Sequence, residues 1–331
     1  MGDKKHMTSI GGQAVLEGVM MRGPAKTAVA IRKSDGEIVL DIKDNKSLLA
    51  KWKLNKIPIL RGFLSFFASM YTGVKYTMYS AEFIDVEEEE SESKFDKFLT
   101  KVFGDKVMDV IMWVAVLLAL VLGVGLFMFL PTLLAGGLKT LFTNGTFIQF
   151  PQGFLQVSTV IFSNTIVLNL IESVTRIVIF LLYMLAVSRM KDMKRVFAYH
   201  GAEHKSIACY EAGEELTVEN VRKHTRLHPR CGTSFLLIVM VVSILFFSFL
   251  SWDNAVMRLV VRLALLPVVA GFSYEIIKFA GRSRCGLARF LTKPGLALQK
   301  LTTNEPDDEQ IEVAITALKA VLPQEGEDDK W

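Results

Sequence analysis

Five histidines are present in the 331-residue chain, and four of them crowd into one short stretch. The segment AYHGAEHKSIACYE, residues 198–211, carries His200, Glu203 and His204. His224 and His228 follow in RKHTRLHPRCGTSF, with Cys231 three positions later; His6 stands apart near the N-terminus. On a helix, residues 200 and 204 lie one above the other, so two imidazoles reach one ion. Glu203 lies on the adjoining face, beside a water held by that ion. The order His-x-x-Glu-His is that of inverzincins, where the glutamate is the general base and the metal acidifies its water. His224 and His228 repeat the spacing. Zinc takes His nitrogen, Cys sulfur or carboxylate oxygen, with four protein ligands when structural and three plus water when catalytic. These residue types predict a site with His200 and His204 as ligands, His228 or Cys231 as the third, Zn2+ as cofactor and Glu203 as the catalytic base. Glu275, in FSYEIIKFAGRSRCG, is a more distant carboxylate candidate, and a pair with Lys278 is the stronger expectation for it. The plain alternative is a histidine-rich loop whose imidazoles bond backbone carbonyls or lipid phosphates among basic neighbours.

Something must hold these residues in place, and the rest of the chain is greasy. Apolar residues make up 51% of it. That fraction occurs in soluble domains too, so arrangement decides. A helix crosses a bilayer in about 20 apolar residues. Four segments qualify by sequence: 107–137, 167–187, 234–252 and 256–279. Residues 56–84 are aromatic but broken by Arg61 and Lys75, which predicts an amphipathic helix lying on the membrane. The first 30 residues hold no apolar core, so the first span is expected to act as an internal signal-anchor. Lys and Arg concentrate in 188–232, in the N-terminal region and after 281, and are nearly absent from 138–165 and 252–255. Positive residues stay inside, which places both termini and the histidine segment in the cytoplasm. Cys209, Cys231 and Cys285 share that side; an odd count in a reducing compartment argues against a disulfide framework.

Residues 10–43 read as strands, with TAVAIRKSDGEIVLDI alternating about a Ser34-Asp35-Gly36 turn. GGQAVLEGVMMRGP precedes it, and Gln13, Glu17 and Arg22 there are candidates for a substrate-facing or structural role. DVEEEESESKFDK, residues 85–97, reads as a solvated acidic linker, and 154–166 as an interfacial helix. EPDDEQIEVAITALKAVL opens on Pro306 and acidic residues, and sets Ile311, Ala314, Ile315 and Leu318 on one apolar face, which predicts a helix docked on the cytoplasmic portion. The fold class is therefore membrane α-helical. About four transmembrane helices accompany a small α+β cytoplasmic portion built from the N-terminal strands, the His-rich loop and the C-terminal helix. The organisation reads as 1–55 strand-rich, 56–106 interfacial helix and acidic linker, 107–187 the first two spans, 188–233 the His-rich loop, 234–280 the last two spans, and 281–331 C-terminal. Within the spans, Glu172 and Arg176 are one turn apart, as are Arg258 and Arg262. A charge in hydrocarbon faces a partner or a cavity, so an interhelical ion-pair set with Arg258 snorkelling is expected ahead of a polar transport path.

GGQAVLEGVMMRGP, YHGAEHKSIACYE, HPRCGTSF and PGLALQKLTTNEPDDEQIEVAITAL together resemble the YqhQ-like family of bacterial membrane proteins, domain of unknown function 1385. The resemblance runs from about residue 10 to about 322, and the matching residues include Gln13, Glu17, Arg22, His200, Glu203, His204, His228 and Cys231. It implies a multi-pass protein of the bacterial cytoplasmic (inner) membrane. The family carries the label of a predicted metal-dependent enzyme, and no substrate comes with it.

Two functions of different class follow. One is a membrane-bound metallohydrolase at the cytoplasmic face, with Glu17 and Arg22 orienting an unnamed substrate. The other is a non-enzymatic membrane factor for a partner complex such as the protein-translocation or insertion machinery, its His loop structural and its Met- and aromatic-rich segment 59–84 an adaptable surface. The lipid bilayer is the one partner both share. No specific nucleic acid is predicted, and the oligomeric state is open.

Overall fold

The computed structural model describes residues 7–45, 57–84, 107–144, 164–248, 255–283, 285–323 and 329. His6, the acidic linker and residues 154–163 of the expected interfacial helix lie outside the described residues. The chain divides into two compact units. The first comprises Met1–Asp85, Met184–Val242 and Leu265–Trp331; the second comprises Val86–Tyr183 and Ser243–Ala264.

The first unit is built on a four-stranded antiparallel meander: β1 Gly11–Val15, β2 Gly18–Arg22, β3 Lys26–Arg32 and β4 Ile38–Asp44, in the order 1-2-3-4. The Ser34–Gly36 turn falls between β3 and β4 as its residues predict, with Gly36 at φ 88°. A second tight turn, Leu16–Glu17, joins β1 to β2, and Glu17 adopts φ 51°. Strand alternation then sorts the side chains onto two faces. Val15, Met20, Val29 and Ile31 pack with Tyr76 of α1 (Leu60–Ala81). Val19, Met21, Ala28 and Ala30 pack with α5 (Lys191–Glu211) and α10 (Asp308–Lys319). Both faces are covered, so β3 is apolar on both sides rather than alternating with polar residues.

Helix α10 begins at a capping box, Asp307 with Gln310. Its four predicted apolar positions, Ile311, Ala314, Ile315 and Leu318, are all buried. Helix α5 differs. Its sequence is polar on average, yet Ala198 to Ile207 is almost continuously buried, including Glu203, His204, Lys205 and Ser206. The 188–233 segment is thus mostly not a loop. It is α5, a short helix α6 (Val218–Lys223), and an irregular run from His224 to Cys231. Helix α7 (Gly232–Ser248) follows directly.

Among the described residues, three helical stretches are long and apolar enough to cross a membrane: Trp113–Phe142, Ile166–Val187 and Leu259–Arg282. The first lies within α2 (Val107–Val124), a π-helical segment (Gly125–Phe129) and α3 (Leu130–Asn144). The helix therefore runs on through 138–144, past the end of the span expected at 107–137. The second is in α4 (Thr165–Val187) and the third in α8 (Ala255–Arg282). The remaining expected span, α7, is apolar but shorter, at 17 residues. Helix α1 is not among the three, in keeping with the charges that interrupt it.

The second unit holds the expected ion-pair set and enlarges it. Glu172 accepts from Arg176 Nη2 at 3.1 Å, from Thr132 Oγ1 at 2.8 Å and from both terminal nitrogens of Arg262. Arg176 Nε donates to the carbonyl of Phe127 at 2.9 Å. That carbonyl would bond the amide of residue 131 in a regular helix, and residue 131 is proline. Pro131 thus leaves an acceptor free inside the π-helical segment, and Arg176 takes it. The side chain of Arg258 lies outside those described.

Candidate metal centre

The site is assembled from three places in the first unit: α5, the irregular run ending at Cys231, and the end of α9 (Gly286–Thr302). His200 and His204 project from successive turns of α5, with ring centroids 4.4 Å apart. His200 Nδ1 is 2.8 Å from the carbonyl of Thr302, and His204 Nδ1 is 2.6 Å from the carbonyl of Arg226. A carbonyl only accepts, so each Nδ1 carries the proton and donates it. A neutral imidazole held this way presents an unprotonated Nε2. This is the outer-shell arrangement that orients histidine ligands of metals.

Cys231 completes the group. Its Sγ is 3.2 Å from His200 Nε2, and one donor atom each from His200, His204 and Cys231 lie within 4.8 Å of one another. Tetrahedral zinc with bonds of about 2.0 Å to nitrogen and 2.3 Å to sulfur sets those atoms about 3.6 Å apart. The 3.2 Å between His200 Nε2 and Cys231 Sγ is close to that. Thr233 fixes the sulfur, with Oγ1 at 3.2 Å and the amide at 3.5 Å.

Glu203 is buried beside the group, its Oε2 3.7 Å from His200 Nε2. The Gly12 amide donates to its carboxylate, yet Oε2 has no hydrogen-bond partner. Burial pushes the Glu203 carboxyl up, and His200 and the Gly12 amide oppose that only in part. Glycine at 12 has a steric reason: a Cβ there would lie 2.6 Å from the Met20 carbonyl and 3.0 Å from Glu203 Cγ. His200, Glu203, His204, Cys231 and Gln13 all line one cavity of about 570 Å³.

Other predicted residues go elsewhere. His228 also lines the cavity, but its Nε2 is engaged by Arg230 at 3.3 Å and Glu211 at 3.7 Å, outside the ligand group. Burial pushes its imidazole down to about 4, against the pull of Glu211. His224 sits on Glu214 at 3.2 Å, in a separate cluster with Cys209. The i, i+4 argument fails for this pair because α6 ends at Lys223 and the chain is then irregular. Glu275 pairs with neither the histidines nor Lys278 by hydrogen bond. It takes a bidentate bond from Arg61, at 2.7 and 2.5 Å, where Gly62 of α1 lies against Gly271 of α8. Glu17 turns to Arg195 and the Tyr199 hydroxyl rather than into the cavity. Arg22 is exposed at the end of β2, beside Gly12 and Gln13 in a shallower pocket. Sequence reasoning missed Thr233 and the carbonyls of Arg226 and Thr302. It also missed Gln299, whose buried amide accepts from the His228 amide and donates to its carbonyl, holding the run that leads to Cys231. A buried glutamine in the apolar stretch PGLALQKLT was the one local sign of it.

A family model described as "Protein of unknown function (DUF1385)" matches residues 57–324. A Bacillus subtilis (strain 168) protein described as "Uncharacterized protein YqhQ" is 36% identical over 329 residues, covering 97% of this chain and 95% of the relative. No solved structure matches the chain. The chain belongs to the DUF1385 family of proteins of unknown function.

Proposed function

We propose that the protein is a multi-pass protein of the bacterial cytoplasmic membrane with a zinc-dependent hydrolytic site at the cytoplasmic face. Three helices are long enough to cross, and α7 supplies the fourth crossing in this reading. The Lys- and Arg-rich segments flanking the site favour a cytoplasmic position, with both termini on that side. His200 Nε2, His204 Nε2 and Cys231 Sγ would hold the metal beside the cavity that they line. Zinc, when bound, supplies Lewis acidity toward a water and toward the substrate oxygen.

The observation that carries the reading is the unpartnered Oε2 of Glu203 beside three converging donors. A buried carboxylate oxygen without a partner is costly. A water admitted to the cavity beside it would supply one. Glu203 Oε2 then accepts the proton of that attacking water and returns it to the leaving group. Burial raises the proton affinity of this carboxyl, in the direction a general base at neutral pH needs. The carbonyls of Thr302 and Arg226 keep both rings in the required tautomer.

The test is hydrolysis of a panel of chromogenic esters and amides by zinc-loaded protein. Glu203→Gln should lower the rate about 10²–10⁴-fold while zinc stays bound. Equal rates in the two proteins would sink the hydrolase reading. The scaffold reading keeps one observation: α1 exposes Phe67, Met70 and Tyr71, a surface suited to a membrane partner such as the translocation or insertion machinery. In that case Glu203→Gln is silent in growth and in pull-down of membrane complexes, while His200→Ala disturbs both.

A further inference from the structure

The histidine cavity does not end at the metal donors. A second hollow of about 480 Å³ adjoins it between α1, α7 and α8, within the same unit. Gln13, Ser69, Cys231 and Leu236 line both, so the two adjoin along those residues. The character changes from one to the other. The first part holds the imidazoles and Glu203; the second is walled by Phe66, Met70, Phe235, Leu236 and Ile277. Among the described residues Arg230 is the one charged side chain on that wall, and the half-buried carboxylate of Glu211 neutralises it. Among the described residues Gln13 is the one strand residue there, a single position of the edge strand β1. An extended peptide would therefore find no row of free backbone donors and acceptors, which strand addition requires. A hydrocarbon chain needs none. Leu236 stands 42% exposed on α7, so the hollow opens at an apolar helix.

We propose that this hollow holds the acyl chain of a bilayer lipid, with the chain's polar end at the histidine cavity. The inference rests on the hydrolase reading and names its substrate class: an amphiphile with one long hydrocarbon tail, entering from the membrane. No bond changes in the hollow itself; it places the tail so that the bond to be cleaved lies at Glu203 and the metal donors.

The test uses the full chain in lipid nanodiscs, with a palmitate analogue bearing a diazirine near its tail. After irradiation, labelled residues are mapped by mass spectrometry, and zinc is measured in the same preparation. The expected result is labelling within residues 60–81 and 232–248 that excess palmitate suppresses at least about tenfold better than excess butyrate. Ser69→Phe, which plugs the passage, should remove the suppressible labelling, whereas Ser69→Ala should keep it. If Ser69→Phe fails to fold, the chain-length comparison on the natural protein still decides. Labelling that palmitate does not suppress, or that butyrate suppresses equally, overturns the acyl-chain site even where zinc is bound. Stronger suppression by a leucine-rich decapeptide than by palmitate overturns it in favour of a peptide. Suppressible labelling with no zinc in a zinc-replete preparation upholds the tail site and removes the hydrolase reading beneath it.

Discussion

Two carboxylates are buried to the same degree in this molecule and are treated in opposite ways. Glu172, 1% exposed in the second unit, has both oxygens filled by two arginines and a threonine. Glu203, 4% exposed in the first, keeps one oxygen without a partner next to two imidazoles and a thiol. Saturation marks a joint: every lone pair answered, and nothing left to bind. The unanswered oxygen of Glu203 is a buried acceptor that a water or a ligand in the cavity would satisfy. The same contrast separates the arginines of the second unit, locked on Glu172, from His200 and His204 of the first, whose Nδ1 atoms donate to backbone carbonyls and whose rings share the cavity with Cys231.

The contrast breaks first at Glu172. Replacing it by alanine strands Arg176 and Arg262 in a buried setting, and should cost about 3–5 kcal/mol. Denaturant unfolding in detergent should show this as a large fall in midpoint. Gly12→Ala comes next. Its methyl would press on Met20 and Glu203, and overpacking of this kind costs about 1–3 kcal/mol. The same unfolding assay, run beside zinc content, would show whether the close approach of β1 to Glu203 matters to both. Smaller still is the effect of Glu203→Gln on stability, within about 1 kcal/mol of the natural protein, because no partner is lost at Oε2. A cost matching that of Glu172→Ala would erase the distinction between joint and site.

The cysteines give the finest discrimination. Burial holds the Cys209 thiol above its ordinary value, while the Ser283 side chain and the Ala288 amide hold exposed Cys285 below it. The thiolate is the reacting form. Iodoacetamide at neutral pH should therefore modify Cys285 first and Cys209 last, with Cys209 catching up only as pH rises. Cys231 should become reactive when a chelator removes zinc. Peptide mapping by mass spectrometry reads all three sites, and labelling of Cys231 indifferent to chelator would speak against its place among the ligands.

Local features were legible in the residues alone. The Ser34–Gly36 turn, the apolar face of α10 and the Glu172–Arg176 pair each depend on neighbours within one turn of chain. His200, Glu203 and His204 belong with them, since one helix carries all three. Features that depend on distant chain were not legible. Arg61 lies 214 residues from Glu275, and Lys278, only three residues away, drew the expectation instead. Thr302 lies 102 residues from His200, yet its carbonyl fixes the tautomer. His228 misled for a different reason: its spacing from His224 is that of a helix, and Pro229 with its neighbours keeps that run irregular. Residues 198–207 misled through composition, because a polar sequence suggested a cytoplasmic loop where a buried helix stands between sheet and α10.

The most direct measurement is zinc content by elemental mass spectrometry on protein purified from zinc-replete cells. The natural chain, Glu203→Gln and the double variant His200→Ala/His204→Ala would be compared. About one zinc per chain in the first two and none in the third is the predicted result, since Glu203 is not a ligand and the histidines are. No zinc in the natural chain, or equal zinc in all three, would contradict the claim that these donors converge to hold a metal.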